Sequence, residues 1–163
     1  MLGAVLLSAV VSAQNPDFSG TWILDTNRSS AIGGGTGGGG GGGGRGGGIG
    51  LGPAADRLTI TQDATTLTVE ERRGASSSRL VYALDGRKMV NTIPAGRNAG
   101  APATSIGRRD KGRFVMTISA PFAPGRAGSV EYREVWSLEP DGSLVIETTI
   151  SGQPNVRKSA YKK

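Results

Sequence analysis

Cysteine and histidine are both missing from this sequence. Without cysteine there is no disulfide framework, no thiol nucleophile, no iron–sulfur ligand and no lipidated cysteine to anchor a mature N-terminus. Without histidine there is no Ser–His pair, no imidazole base, none of the usual zinc sites and no common proximal haem ligand. No metal site and no cofactor are therefore expected, and most familiar hydrolase mechanisms drop out. Carboxylate or lysine chemistry is what remains to an enzyme. Aromatic residues are also scarce (Phe 3, Trp 2, Tyr 3), so Leu, Ile, Val and Met must fill most of a core. The apolar run Leu2 to Val11 is shorter than the roughly 20 residues a bilayer-spanning helix needs, and no stable membrane insertion is expected.

What is present fits one small domain. A chain of 163 residues can bury one core and no second. Its formal charge of +6 suits a dispersed, soluble protein. The basic pairs Arg72–Arg73 and Arg108–Arg109 are spread along the chain and are not interleaved with aromatics that could stack on bases. No nucleic-acid partner is expected.

The apolar start is followed by Val11-Ser12-Ala13 and then by Gln14-Asn15-Pro16. This reads as a signal peptide over residues 1–13, cut after Ala13, with the domain spanning 14–163 and a secreted or periplasmic destination. No Lys or Arg precedes the apolar run, so either the true start lies upstream or the signal is atypical.

Beyond Pro16 the apolar residues recur with period two, as on half-buried strands. Leu58 and Ile60 alternate with threonines, as do Leu67 and Val69; Leu80, Tyr82 and Leu84 follow, then Phe114, Met116 and Ile118. Val130, Tyr132, Trp136 and Leu138 form another series, and Leu144, Ile146 and Ile150 the last. Strands are predicted near 18–25, 57–62, 66–73, 78–84, 87–93, 103–109, 113–119, 129–138, 143–150 and 155–162. Asp85-Gly86, Asp110-Lys111-Gly112 and Pro140-Asp141-Gly142 suit tight hairpins between them. Turn geometry also accounts for Asp63, Asp85, Asp110 and Asp141, which leaves no pair of acidic residues marked out for catalysis. An all-β fold follows: a single antiparallel up-and-down barrel of about 8–10 strands, closed because closure removes exposed edges.

Residues 33–50 are glycine except for Thr36, Arg45 and Ile49. Ordering such a tract costs more backbone entropy than any other composition, so 31–53 is predicted to be a disordered, flexible insertion after strand 1. It has neither the lysine nor the flanking helix of a phosphate-binding loop, and its single arginine is no Arg-Gly tail.

The segment Asp17-Phe18-Ser19-Gly20-Thr21-Trp22-Ile23-Leu24-Asp25 resembles the opening of the calycin barrels, the Gly-x-Trp of lipocalins and the Phe-x-Gly-Thr-Trp-x-Leu of fatty-acid-binding proteins. With its leading Asp and glycine-rich sequel it also resembles a group of exported bacterial proteins of unknown function. The close, Tyr161-Lys162-Lys163, is similar to the Tyr-x-Lys ending of fatty-acid-binding proteins. The resemblance implies a lipocalin-like barrel in which Gly20 and Trp22 are structural, the tryptophan closing one end. It also marks two departures. The glycine tract stands in place of the family's helical lid, and Ser159 stands where the fatty-acid binders carry a carboxylate-gripping arginine two residues before the terminal tyrosine.

Glu134 falls on the same face as Val130, Tyr132 and Trp136, and Thr148 falls in phase with Leu144 and Ile146. Two placements are open: an inward carboxylate with an internal partner or a hydrated lumen, or a β-bulge near Val135 that returns Glu134 to solvent. The inward placement makes Tyr132, Glu134, Trp136, Met116 and Thr148 the candidate ligand-binding residues. The leading functional reading is a barrel holding a small, partly apolar molecule. A packed barrel acting as an interaction or envelope-associated module is the alternative, and an enzyme using carboxylates alone ranks behind both; no enzymatic activity is expected. Nothing in the sequence sets the oligomeric state.

Overall fold

The computed structural model describes residues 15–30, 54–96, 98–122 and 127–163. The signal peptide expected at 1–13 and the glycine-rich insertion expected at 31–53 lie outside these residues.

Ten strands follow one another: β1 (Gly20–Leu24), β2 (Arg57–Gln62), β3 (Thr66–Arg73), β4 (Ser76–Ala83), β5 (Asp85–Thr92), β6 (Pro102–Asp110), β7 (Arg113–Pro121), β8 (Ser129–Leu138), β9 (Leu144–Ile150) and β10 (Val156–Lys162). They form one antiparallel sheet in the order β4-β3-β2-β1-β10-β9-β8-β7-β6-β5, nearly closed into an up-and-down barrel. The chain thus enters the sheet at its middle, and β1 meets β10 through the pairs Ile23–Lys162 and Leu24–Tyr161.

Alternation decides which residues fill the inside. In β2 the exposed Arg57, Thr59 and Thr61 flank the buried Leu58 and Ile60, and in β3 Leu67 and Val69 turn inward. Leu144, Ile146 and Ile150 do the same in β9. Each large side chain removed from water in this way contributes about 1.5–3 kcal/mol, which is how so few aromatics suffice. Four of the aromatics, Phe18, Tyr82, Phe114 and Trp136, pack together. The ring of Trp136 meets Phe18, Phe114 and Tyr82 edge-on at centroid distances of 6.2, 5.9 and 6.3 Å. Trp22 lies against this cluster's strand, 1 % exposed, its indole N–H donating to the Phe18 carbonyl at 2.8 Å, with the Lys163 ammonium 5.0 Å above its ring.

One turn differs from expectation. Asp85-Gly86 does not join a hairpin: β4 and β5 are the two edges of the sheet, and the backbone ladder is interrupted between them. Asp85 instead pairs with Arg108 of β6, and the register slips between Asp85 and Lys88. The one extra residue of this bulge sharpens the local twist at the start of β5. Near the seam β4 and β6 come close. A Cβ on Gly107 would lie 2.5 Å from the Phe114 ring and 2.7 Å from the Ala83 carbonyl oxygen, so only glycine fits. Asp110-Lys111-Gly112 and Pro140-Asp141-Gly142 do connect hairpins, β6–β7 and β8–β9.

Candidate functional site

Inside the barrel, beside the Trp136 ring, lies a cavity of about 70 Å³. Leu58, Leu80, Ile93, Ile118 and Ile146 supply its apolar wall, and Tyr82, Trp136 and Tyr161 supply aromatic surface. Its polar lining comes from five strands. β3 contributes Glu71 and Arg73, β5 contributes Asn91 and Thr92, β6 contributes Ser105, β8 contributes Glu134, and β10 contributes Arg157 and Ser159.

Glu134 faces inward. The pairs Met116–Glu134, Val135–Val115 and Trp136–Phe114 run in unbroken register, so no bulge near Val135 turns the carboxylate outward. A row of residues crosses the barrel wall at this level: Gly107, Met116, Glu134, Thr148 and Arg157, paired in turn from β6 to β10. Glu134 is 8 % exposed. Its Oε2 accepts the Trp136 indole N–H at 3.0 Å, and its Oε1 accepts the Thr148 hydroxyl at 3.4 Å. Burial pushes its carboxyl above the usual range; the Trp136 hydrogen bond and the Arg157 charge pull the other way, and the nearby Glu71 charge pushes it up again.

Glu71 and Arg73 form an ion pair of 2.5 Å, two residues apart on one strand face. Both continue the inward phase of Leu67 and Val69 toward the end of β3. Burial, reinforced by the Glu71 and Glu134 charges, pushes the phenols of Tyr82 and Tyr161 up, so both stay neutral and can donate hydrogen bonds. Ser105 is 2 % exposed, and its hydroxyl has no hydrogen-bond partner among the described residues.

The sequence-derived candidates divide into two groups. Glu134 and Trp136 line the cavity. Tyr132, Met116 and Thr148 are buried on the same inward faces, but they belong to the packing around the cavity, with Thr148 touching it only through Glu134. Leu138, at the end of the same series, is exposed at the barrel rim. Gly20 lies beside Lys163 and Trp22, and the Trp22 indole is held by the Phe18 carbonyl. Glu71, Arg73, Ser105 and Arg157 were missed. The signal for Arg73 was its phase with Val69, obscured by its place in a basic pair. For Arg157 the signal was the step of two along β10: Ser159 holds the position before Tyr161, and the arginine stands one inward position further on.

The architecture is calycin-like. A solved structure of the REP1-NXSQ fatty acid transporter aligns with it at a TM-score of 0.57 and 13 % identity, over 89 % of this chain and 94 % of that one. A fatty-acid-binding protein from the brain of Drosophila melanogaster aligns at a TM-score of 0.47 and 18 % identity, over 66 % of this chain and 71 % of that one. At 13 % identity, the likeness to the first of these speaks to fold alone. No protein-family model matches the sequence, and no curated protein is significantly similar to it.

Proposed function

We propose that this protein is an exported carrier that binds a small, partly apolar molecule in the interior of its barrel. One observation carries the reading: charged and polar side chains from β3, β6, β8 and β10 converge on a cavity walled otherwise by aliphatic and aromatic groups. Orientation by a few polar groups within an apolar wall is how small-molecule sites are built. A barrel kept only as a packed scaffold gains nothing from buried charge, since well-packed apolar residues in its place are often as stable or more so. The first neighbour named above, a fatty acid transporter by name, supports a carrier role for this shape.

Both cavity carboxyls already have partners, Glu71 in its ion pair and Glu134 with Trp136 and Thr148. We therefore read them as binding groups and not as a catalytic pair. Export rests on the leader-like residues 1–13. Protein isolated from its own host and examined by native mass spectrometry should carry a bound small molecule, with a mature chain beginning at Gln14. A bare chain, together with no response of the Trp136 fluorescence to small amphiphiles, would remove the carrier reading. An intact residue 1–13 segment on cytoplasmic protein would remove export.

A further inference from the structure

The polar lining of the cavity sets acidic and basic side chains together in equal number. It holds two guanidinium groups, Arg73 and Arg157, and two carboxyls, Glu71 and Glu134. Arg73 is bonded to Glu71 at 2.5 Å, and the Arg157 charge acts on Glu134 from across the β8–β9–β10 row. A ligand bearing one full charge therefore meets Arg73 and Glu71 already bonded to each other, Arg157 and Glu134 coupled through their charges, and, whichever its sign, two like groups that repel it. Binding it requires breaking a largely buried pair or leaving a charge uncompensated, both of which are costly in a low-dielectric interior. A head group with no net charge has no such obstacle.

Two further observations narrow the choice. Ser105 lines the cavity at 2 % exposure and its buried hydroxyl lacks a partner among the described residues, so a ligand that both donates and accepts hydrogen bonds would satisfy it. The cavity volume of about 70 Å³ is well below the roughly 300–1,000 Å³ of ordinary ligand pockets, so the interior admits a compact head and a short apolar body. Resting on the carrier reading above, we infer that the natural ligand is a short amphiphile whose head group is neutral overall and both donates and accepts hydrogen bonds, as an amide or an amino-acid-like zwitterion does, and not a fatty carboxylate.

The two tryptophans make the test direct. The Trp136 indole N–H is bonded to Glu134 in the cavity, whereas that of Trp22, which does not line the cavity, is bonded to the Phe18 carbonyl. Titrating the ¹⁵N-labelled protein with pentanamide, norvaline, pentanoate and pentylamine holds the carbon skeleton constant while the head group changes. The Trp136 resonance should shift and the Trp22 resonance should stay. Pentanamide or norvaline should bind at least about tenfold more tightly than pentanoate or pentylamine, as expected when a charge must be buried without a partner. Ser105→Ala should weaken the preferred compound by about fivefold, the worth of one hydrogen bond, with an unchanged thermal transition. Pentanoate binding as tightly as pentanamide would overturn this inference and leave the carrier reading intact. Silence of the Trp136 resonance toward all four would overturn both.

Discussion

Asn91 of β5 takes the place of a backbone peptide for Val81 of β4. Its Oδ1 accepts the Val81 N–H at 2.8 Å and its Nδ2 donates to the Val81 carbonyl at 2.9 Å. This carboxamide staples the seam where the two sheet edges meet, and it also lines the cavity. Val81 would otherwise face its neighbour strand with one donor and one acceptor unmet.

Asn91→Leu should therefore destabilise the fold by about 1–3 kcal/mol, the cost of leaving part-buried backbone groups without partners. Asn91→Asp should be at least as harmful at neutral pH, because the carboxylate would face the Val81 carbonyl. Denaturant unfolding measures both, and hydrogen exchange should show the Val81 amide losing protection first. An unchanged midpoint would mean that the seam is held elsewhere.

Gly107 tests the close approach of β6 to Phe114 and Ala83. A methyl group there collides with the Phe114 ring and with the Ala83 carbonyl. Gly107→Ala should cost about 1–3 kcal/mol, the range for overpacking a core. Adding Phe114→Leu should recover part of the loss, since the ring is the nearer obstacle and the backbone carbonyl is not removable. A fully additive double mutant would contradict that geometry.

Glu134 sets a pH dependence of definite sign. Its folded pKa lies above the ordinary value of 4.5, chiefly because burial disfavours the charged form. The folded state thus holds its proton more tightly than the unfolded state. The protonated form's contribution to stability is complete below about 4.5 and is lost as pH rises through the folded value. Wild type should lose stability relative to Glu134→Gln over that window. Carbonyl NMR of Glu134 follows the titration itself, and Arg157→Gln should move it further up by removing a favourable charge. A Glu134 that titrates at or below 4.5 would place it in water.

Asp63 gives the opposite sign. Its carboxylate accepts the Thr65 and Thr66 N–H groups at 2.7 Å in the β2–β3 turn, and also the Thr66 hydroxyl, which holds its pKa down to about 2. Its contribution is present above the ordinary 3.8 and lost as pH falls through about 2. Asp63→Asn should thus lower the thermal midpoint at pH 6, and the gap from wild type should close toward pH 2.

Much of the fold was legible in the chain. The alternation of Leu58 with Ile60, or of Leu144 with Ile146, requires one wet and one dry face whatever the tertiary context. The turn chemistry of Asp110-Lys111-Gly112 and Pro140-Asp141-Gly142 is local for the same reason. Parity also put Glu134, Trp136 and Thr148 on the inner side, because a strand reverses its side chains at every residue.

Depth and neighbourhood were decided only by closure. Parity names a face; it does not say whether an inward residue meets a cavity, as Arg157 does, or packed side chains, as Tyr132 and Met116 do. Arg73 looked like half of a solvated basic pair because its ion partner and its cavity are visible only once β3 curves round to face β8 and β10. The Asp85-Gly86 turn had hairpin chemistry, yet its two strands are the edges of the sheet, and the register of β5 slips just beyond it. Sequence determined which side of each strand is dry. The wrapping of the sheet, which brings distant strands across one lumen, determined which dry side chains share a site.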